Sequence, residues 1–303
     1  MTKPLIIGTR DSQLALWQAK TIQKQLAEKG YKAELKKVKS TGDLNLDQPL
    51  YEMGITGIFT KTLDVALIND EIDIAVHSMK DVPTRLPKTI VEGAIVERAT
   101  HYDVLIPKND FNTDKSITIA TGSLRRKAQW LHQYPHHQTE NIRGNVQTRM
   151  RKLKETEHWK GAIFAKAGLE RMDMLPDDHE VLDWMLSAPA QGAILAVTRE
   201  HNDQAKKALN EIHKTDVAAC VHQERAFLRR LEGGCTAPIG ALAELKNDKV
   251  HFHGNLTSLD GKQYFEVKRS VPVDQADELG KICANEILAQ GGDQLMKQLR
   301  EVL

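Results

Sequence analysis

The fold is constrained most strongly by an alternation of short apolar segments with helical patterns. Residues 5–8 (LIIG) have the pattern of a short apolar strand, and a polar turn separates them from a helical pattern that continues to Leu26. Ser12 or Asp11 is placed to cap the start of this helix, and Gly30 is placed to end it. Strand, loop and helix in this order form the basic element of an α/β fold.

The same alternation continues along most of the chain. Apolar strands are predicted at 33–38, 72–76, 104–106, 117–120, 161–165 and 193–198, and helices at about 60–68, at 123–134 and up to about 214. Parallel strands with covering helices are the economical arrangement. The last part differs, because a helix at 217–231, strands near 250–256 and 264–271 and a long helix from Asp274 predict a smaller α+β domain.

Length and composition exclude several classes of protein. The 303 residues suffice for two or three domains. Lys and Arg number 42 against 41 Asp and Glu, a net charge of +1, so a whole-protein nucleic-acid surface is not expected. No apolar run approaches the ~18 residues of a membrane span. The three cysteines lack paired spacing and no apolar signal region lies near the first residue, which predicts a reducing cytoplasm.

Polar and basic residues follow the predicted strands at matching places. They are Arg10 and Ser12, then Ser78, Lys80 and Asp81, then Thr121, Ser123, Arg125 and Arg126, then Arg143 and Arg149, and finally Gly168 and Arg171. Ligands of doubly wound sheets bind beyond the carboxyl ends of strands, so these groups are expected to face one cleft. Arginine forks suit carboxylates and phosphates, so the pattern predicts a polyanionic ligand. The pair at 125–126 taken alone also fits a solvated helix face.

Two residues indicate chemistry as well as binding. Cys235 lies in LEGGCTAPIG (231–240), where two glycines and a proline shape the backbone around one thiol. Taken alone, it also fits a small buried residue after a helix end. Asp81 is an acidic group among basic ones and can stabilise a cationic intermediate or transfer a proton. Its alternative roles are an ion pair with Lys80 or a turn cap before Pro83.

Two other patterns carry little functional information. His132, His136 and His137 lack partners at metal-ligand spacing and are interpreted as loop histidines, so no metal site is predicted. Residues 54–57 (GITG) lack the Lys-Ser/Thr of a phosphate-binding loop, so nucleotide binding has weak support.

Five motifs, in order, resemble one family over nearly the whole chain. They are TRDSQLALWQA (9–19), DIAVHSMKDVP (73–83), GSLRR (122–126), RGNV (143–146) and LEGGC (231–235). The chain resembles hydroxymethylbilane synthase, also called porphobilinogen deaminase. The resemblance implies two periplasmic-binding-protein-like (type II) α/β domains, one at 1–97 with 193–213 and one at 98–192, plus a smaller C-terminal α+β domain at 214–303.

The resemblance also implies the reaction. Four porphobilinogen molecules add head to tail, each losing ammonia, on a dipyrromethane cofactor joined by a thioether to Cys235, and water releases hydroxymethylbilane. The product passes to the next enzyme of tetrapyrrole and haem biosynthesis. A cytoplasmic monomer is implied, with no nucleic-acid or membrane partner.

The family motifs assign roles to individual positions. Asp81 is expected to be catalytic, and a cofactor-binding set and a carboxylate-binding set are expected around it. The first set is Cys235, Lys80, Asp81, Ser78, Thr121, Ser123, Arg125, Arg126 and Gly168, and the second is Arg10, Ser12, Arg143, Arg149, Arg171 and Gln191. The chain departs from the family pattern at Glu52 and Thr56, where lysines are usual, at Gln147, and at SAPAQG (187–192).

Two alternatives from other classes remain at this point. A non-catalytic, two-lobed binding protein for small anions would explain the α/β domains and the arginines, but not the cysteine turn. An RNA-binding protein would use the basic residues at 123–127 and 143–154, and the near-neutral charge and 5% aromatic content disfavour it.

Overall fold

The computed structural model describes residues 3–38, 60–108, 110–231 and 237–302. The strands in chain order are β1 (Leu5–Thr9), β2 (Ala33–Lys37), β3 (Ile74–Ser78), β4 (Ile90–Ile95), β5 (Asp103–Pro107), β6 (Thr118–Ala120), β7 (Gln138–Glu140), β8 (Trp159–Ala165), β9 (Glu180–Leu182), β10 (Ile194–Arg199), β11 (Ile239–Lys246), β12 (Lys249–Thr257) and β13 (Tyr264–Pro272). The α-helices are α1 (Gln13–Glu28), α2 (Lys61–Ile68), α3 (Leu124–Gln133), α4 (Val146–Glu155), α5 (Lys166–Glu170), α6 (Asp203–Asn210), α7 (Thr215–Arg230), α8 (Leu279–Ile287) and α9 (Asp293–Val302).

The chain divides into two compact units. Among the described residues, the first unit comprises 3–38, 60–99 and 192–219. The second unit comprises 100–108, 110–191, 220–231 and 237–302. The first unit contains one five-stranded sheet, and the second contains a five-stranded and a three-stranded sheet. The finer division of the second unit into two domains stays a prediction.

The sheet of the first unit has the order β2-β1-β3-β10-β4. β1 is parallel to β2 and β3, whereas β10 is antiparallel to both β3 and β4. The expectation of parallel strands is therefore wrong for β10. The chain leaves this unit at Ala99 and returns at Gly192, so no helical crossover ties β10 to a parallel orientation.

The five-stranded sheet of the second unit repeats this arrangement. Its order is β7-β6-β8-β5-β9, in which β6 is parallel to β7 and β8, and β5 is antiparallel to β8 and β9. The two sheets thus share one topology, with three parallel strands followed by an antiparallel one, so the expectation of parallel strands is also wrong for β5. The predicted α/β fold, with two sheets of the same kind, is confirmed.

The C-terminal part is the predicted smaller α+β structure. β11, β12 and β13 form an antiparallel sheet, and apolar residues of α7, α8 and α9 cover one face in a core that includes Phe227, Phe252 and Leu279. β11 is an additional strand that the sequence did not predict. The expected long helix from Asp274 is wrong, because Gly291 at φ 109° interrupts the path between α8 and α9.

Helix caps explain where the main helices begin and end. Ser12 caps α1 by accepting the Ala15 N–H at 3.3 Å, and Ser123 caps α3 by accepting the Arg126 N–H. Gly30 at φ 84° ends α1 as predicted, and the Tyr31 N–H returns to the Leu26 carbonyl at 3.0 Å. Within the described ranges, no helix has the length and apolar character needed to cross a membrane.

Candidate functional site

In the first unit, the predicted residues lie where β1 and β3 end. Arg10 directly follows β1, and the Ser12 hydroxyl caps α1. Ser78 ends β3, and its hydroxyl accepts a hydrogen bond from the Gln18 amide of α1 at 2.8 Å. Because β1 and β3 are parallel neighbours, these groups lie at the same edge of the sheet.

Lys80 and Asp81 lie on a short 3₁₀ turn, Met79–Asp81, directly after β3. The buried side chains of Met79 and Val82 flank them, and the Met79 N–H donates to the Ala193 carbonyl at 3.0 Å. Lys80 and Asp81 are themselves half-buried. Apolar anchors on both sides therefore fix a turn that keeps one ammonium and one carboxylate within reach of a ligand.

His77 is a buried residue of this edge that the sequence analysis did not single out. Burial, together with the nearby positive charge of Arg10, lowers the pKa of His77 from 6.5 to about 4. Its Nε2 atom is buried without a hydrogen-bond partner among the residues that the structure describes. A neutral imidazole is therefore buried at this edge, close enough to Arg10 to feel its charge. Its only sequence signal was a polar residue inside an apolar strand pattern.

In the second unit, the loop from β6 to α3 carries Thr121 and Ser123. The Thr121 N–H donates to the Glu140 carbonyl at 2.8 Å, and the Thr121 hydroxyl accepts the Ser123 N–H at 3.3 Å. Thr121 is buried, and Ser123 is half-buried at the start of α3. Both residues thus lie at the helix N-terminus, where backbone N–H groups favour an anion.

Arg125 and Arg126 are buried, which excludes the alternative of a solvated helix face. Their side chains form ion pairs with the fully buried Asp103, with nitrogen–oxygen distances of 2.7 Å from Arg125 and 2.8 Å from Arg126. One further nitrogen of each guanidinium donates to a backbone carbonyl, from Arg125 to Leu186 at 2.7 Å and from Arg126 to Ile163 at 3.1 Å. Burial lowers the pKa of Arg125 despite the neighbouring carboxylate.

Two guanidinium groups thus share one carboxylate, which leaves a net positive charge at the start of α3. The Nε atom of Arg125 is buried and has no hydrogen-bond partner within the described ranges.

Asp103 was missed by the sequence analysis, because an acidic residue at the start of a strand gave no sign of its distant partners. Gln191 is also part of this cluster, since its amide donates to Asp103 at 2.9 Å and to the His101 carbonyl at 2.7 Å.

Three more predicted arginines follow β7 and β8. Arg143 is buried, and Arg149 of α4 donates from Nε to the Gly144 carbonyl at 2.8 Å. Burial lowers the pKa of Arg143, and it lowers that of Arg171 from 12.5 to about 10. The desolvation of these cations is a cost that a bound carboxylate would offset.

Gly168 of α5 adjoins an open space. A Cβ atom added at this position would meet no atom of the described structure within 4 Å. The donors at the start of α3, before and within α4 and after α5, together with the excess positive charge, suit a carboxylate-bearing group such as dipyrromethane.

Cys235 lies outside the described residues, as do Glu52 and Thr56. Cys220 and Cys283 are both buried, at 6% and 0% exposed, and burial raises the pKa of Cys283 from 9.0 to about 11. A buried, protonated thiol is a poor nucleophile.

The three histidines near α3 serve local packing. The expectation that His132 lies in a loop is wrong, because this residue belongs to α3. Its ring stacks on that of Tyr264, with the ring centroids 4.4 Å apart. His136 and His137 both approach the Thr113 carbonyl at 3.0 Å. In the part of the chain that the structure describes, no group of three or more His, Cys, Asp or Glu could hold a metal ion.

Comparisons with known proteins identify the family. The model described as "Porphobilinogen deaminase, dipyromethane cofactor binding domain" matches residues 5–207, and "Porphobilinogen deaminase, C-terminal domain" matches residues 218–289. The chain belongs to the porphobilinogen deaminase family. It is an enzyme of tetrapyrrole biosynthesis that uses dipyrromethane, converts porphobilinogen and forms hydroxymethylbilane.

Individual porphobilinogen deaminases are similar over their full length. The protein of Chlorobium phaeobacteroides (strain BS1) is 40% identical over 313 residues, which cover 99% of each chain. That of Desulforamulus reducens is 39% identical over 307 residues, again 99% of each. Among solved structures, the probable amino-acid ABC transporter extracellular-binding protein ytmK from Bacillus subtilis has a TM-score of 0.42 at 12% identity, covering 70% of this chain and 92% of that one.

These relatives support the enzyme and not the alternative of a non-catalytic anion-binding protein.

Proposed function

We propose that this porphobilinogen deaminase joins its dipyrromethane through Cys235 and uses Asp81 as the catalytic carboxylate. We propose further that it works as a cytoplasmic monomer and releases its product to the next enzyme of the pathway. The observation that carries the proposal is the placement of the predicted groups at the carboxyl ends of β1 and β3 in one sheet and of β6, β7 and β8 in the other. In sheets of this kind, ligands bind at the edge that the carboxyl ends of the strands form.

Asp81 is proposed to act on the pyrrole ring that reacts. Its carboxylate accepts the pyrrole N–H of porphobilinogen and stabilises the positive charge that develops as ammonia leaves. A carboxylate repels the acetate and propionate groups of the substrate, so ground-state binding does not account for it. Stabilisation confined to the charged transition state raises the rate without tightening substrate binding.

The arginines are proposed to bind the substrate's carboxylates. Each porphobilinogen brings one acetate and one propionate, so the number of carboxylates grows with every addition. Arg10, Arg143, Arg149 and Arg171 are assigned to the growing polymer, with Ser12 as a further donor. Gln191 is not assigned to it, because this residue is buried and its amide donates to Asp103 and to the His101 carbonyl. Hydrogen bonds of this charge-assisted kind contribute about 1.5–3 kcal/mol each.

In the second unit, the residues proposed to hold the cofactor are Gly168 and those at the start of α3. Bound dipyrromethane supplies the primer to which substrate is added. Thr121, Ser123, Arg125 and Arg126 hold its carboxylates, and Ser78, Lys80 and Asp81 complete the set. The net positive charge that Asp103 leaves on the two arginines supports this assignment.

Intact mass spectrometry tests the attachment. Protein expressed in a haem-producing host should exceed its sequence mass by one dipyrromethane, and Cys235→Ala should remove this excess while the protein stays folded. Cys220→Ala and Cys283→Ala are matched controls that should keep the excess. An unmodified native protein, or loss of the excess in either control, would refute the assignment to Cys235.

A further inference from the structure

Residues 186–191, called here the 186–191 segment, are fixed from two sides within the second unit. From α3, Arg125 and Gln129 donate to the Leu186 carbonyl at 2.7 and 3.0 Å, and the Gln129 amide oxygen accepts the Leu186 N–H at 2.8 Å. From β11, the Ala241 N–H donates to the Ser187 carbonyl at 3.0 Å. The segment is therefore tied both to the helix that carries the arginine pair and to the C-terminal sheet.

The segment contains a strained residue. Ala190 has φ 62°, in the left-handed region that costs free energy for any residue with a Cβ atom. Ala190 is fully buried, so this backbone conformation has to be held by contacts within the protein. Such a conformation persists only where the surroundings hold it in place.

Glu224 of α7 supplies that restraint. Its Oε2 atom accepts the Ala190 N–H at 2.6 Å, and its Oε1 atom accepts the Ala243 N–H of β11 at 2.8 Å. The carboxylate is fully buried. Hydrogen bonds from backbone N–H groups to a buried carboxylate are charge-assisted and short, so they can compensate the strain at Ala190.

The neighbour of Ala190 transmits this restraint to the arginine pair. The Gln191 amide donates to Asp103 Oδ1 at 2.9 Å, and the same oxygen accepts from Arg126 Nε and a terminal nitrogen at 3.1 and 2.8 Å. The second oxygen of Asp103 accepts from Arg125 at 2.7 Å. A shift of Ala190 would therefore displace Gln191 from Asp103 and loosen both guanidiniums.

We infer that Glu224 is a positioning residue for Arg125 and Arg126. It holds Ala190 in the left-handed conformation, which places the Gln191 amide on Asp103, and Asp103 in turn fixes both guanidiniums. The inference deepens the proposed function and rests on it, because positioning of this pair matters to the reaction only if Arg125 and Arg126 hold the cofactor.

Hydrogen exchange on the cofactor-loaded enzyme tests the path directly. Glu224→Gln keeps the side chain's size but removes its charge and one acceptor. Amide exchange in 186–191 and at the start of α3 should rise by about tenfold or more, the equivalent of one lost charge-assisted hydrogen bond. Ala190→Gly in the same chain should restore most of the protection, because glycine adopts the left-handed conformation without strain. Faster exchange confined to β11 would overturn the inference.

Two further variants keep the test decisive. Gln191→Met removes the donor to Asp103 without touching Glu224, and it should increase exchange at the start of α3 even if Glu224→Gln does not fold. Asp73→Asn alters a carboxylate of the first unit that accepts the Ile6 N–H at 2.9 Å, and Ala190→Gly should not rescue it. Rescue of both variants would mean general stabilisation and would refute the inference.

Kinetics separates this inference from the proposed function. Arg126→Gln should lower the fraction of protein that carries dipyrromethane, and a normal fraction would contradict the proposed function. If Arg126→Gln lowers that fraction while Glu224→Gln leaves both the fraction and kcat per loaded molecule unchanged, only the positioning role of Glu224 is refuted.

Discussion

The end of β3 and the start of α3 present their charges in opposite ways. Lys80 and Asp81 lie half-buried on a 3₁₀ turn between two apolar anchors. Arg125 and Arg126 are only 3% and 5% exposed and are held by a shared carboxylate and by backbone carbonyls. The first region leaves an ammonium and a carboxylate partly exposed, whereas the second fixes two guanidiniums inside the protein. The difference fits the proposal that catalysis belongs to the turn and ligand orientation to the helix.

The largest effect that this comparison predicts is a loss of turnover on substitution of Asp81. Asp81→Asn keeps the shape of the turn and removes the charge, so the protein should fold and load cofactor but lose at least ~100-fold in turnover, the low end of a general acid–base contribution. Steady-state kinetics on cofactor-loaded protein measures this. The control is Asp11→Asn, which alters an exposed carboxylate of the same unit that pairs with Lys37 at 2.6 Å. Turnover within a few-fold of native would make Asp81 structural.

His77, which is buried in the strand before this turn, predicts that stability depends on pH. Folded His77 binds a proton only below about pH 4, whereas the unfolded chain binds it below about 6.5. The unfolded state thus holds more protons in this window, so the free energy of unfolding falls as pH drops from 6.5 to 4, by at most about 3 kcal/mol. Asp64 acts in the opposite sense, because burial raises its pKa from 3.8 to about 6.

Urea denaturation between pH 4 and pH 8 separates the two groups. His77→Gln should remove the fall in stability toward low pH. Asp64→Asn should remove the opposing loss of stability as pH rises from about 4 to 6. If His77→Gln has the same pH profile as native protein, the imidazole is not held neutral in the folded state.

On the binding side, the arginines of α4 should differ from one another. Arg149→Gln should lower turnover by about tenfold, since one charge-assisted hydrogen bond to a carboxylate is lost, and should accumulate covalent intermediates of one length. Arg151→Gln is a matched control, because Arg151 is exposed on the same helix and pairs with Glu155. Mass spectra of the enzyme after substrate addition show the trapped species. Equal behaviour of both variants would refute the role assigned to Arg149.

The smallest effect is expected at Gly168. An added methyl meets no atom of the described residues, so Gly168→Ala should not destabilise the fold and should favour helix α5 by about 0.5–1 kcal/mol. The methyl would project into the space assigned to the cofactor, so the fraction of loaded protein should fall by a few-fold. Thermal unfolding and intact mass measure the two effects. A more stable protein that loads fully would place the cofactor elsewhere.

Local signals in the sequence predicted much of the fold. The helix predicted at 123–134 matches α3 almost to the residue. β4 was missed because Glu92 and Gly93 interrupt its apolar pattern, and α4 because it has few apolar residues. The break before α9 was signalled by Gly291 and Gly292 and was overlooked.

The sequence predicted which candidate residues follow the strands, but it did not predict which of them are buried or which groups they contact. The order of motifs placed the arginines after strands, as the structure has them. Their burial depends on Asp103, which is 22 residues from Arg125, and on Gln191, which is 88 residues from Asp103. Contacts over such separations follow from the folded topology, and no local pattern in the sequence encodes them.

The burial of Cys220 and Cys283 has a practical consequence for handling the protein. Alkylating reagents should leave both thiols untouched while the chain is folded, since both are buried and burial raises the pKa of Cys283. A thioether at Cys235 would block the third. Titration with a maleimide under native conditions should then report the share of unprimed molecules in a preparation, with one equivalent taken up per apoprotein and almost none by the mature enzyme.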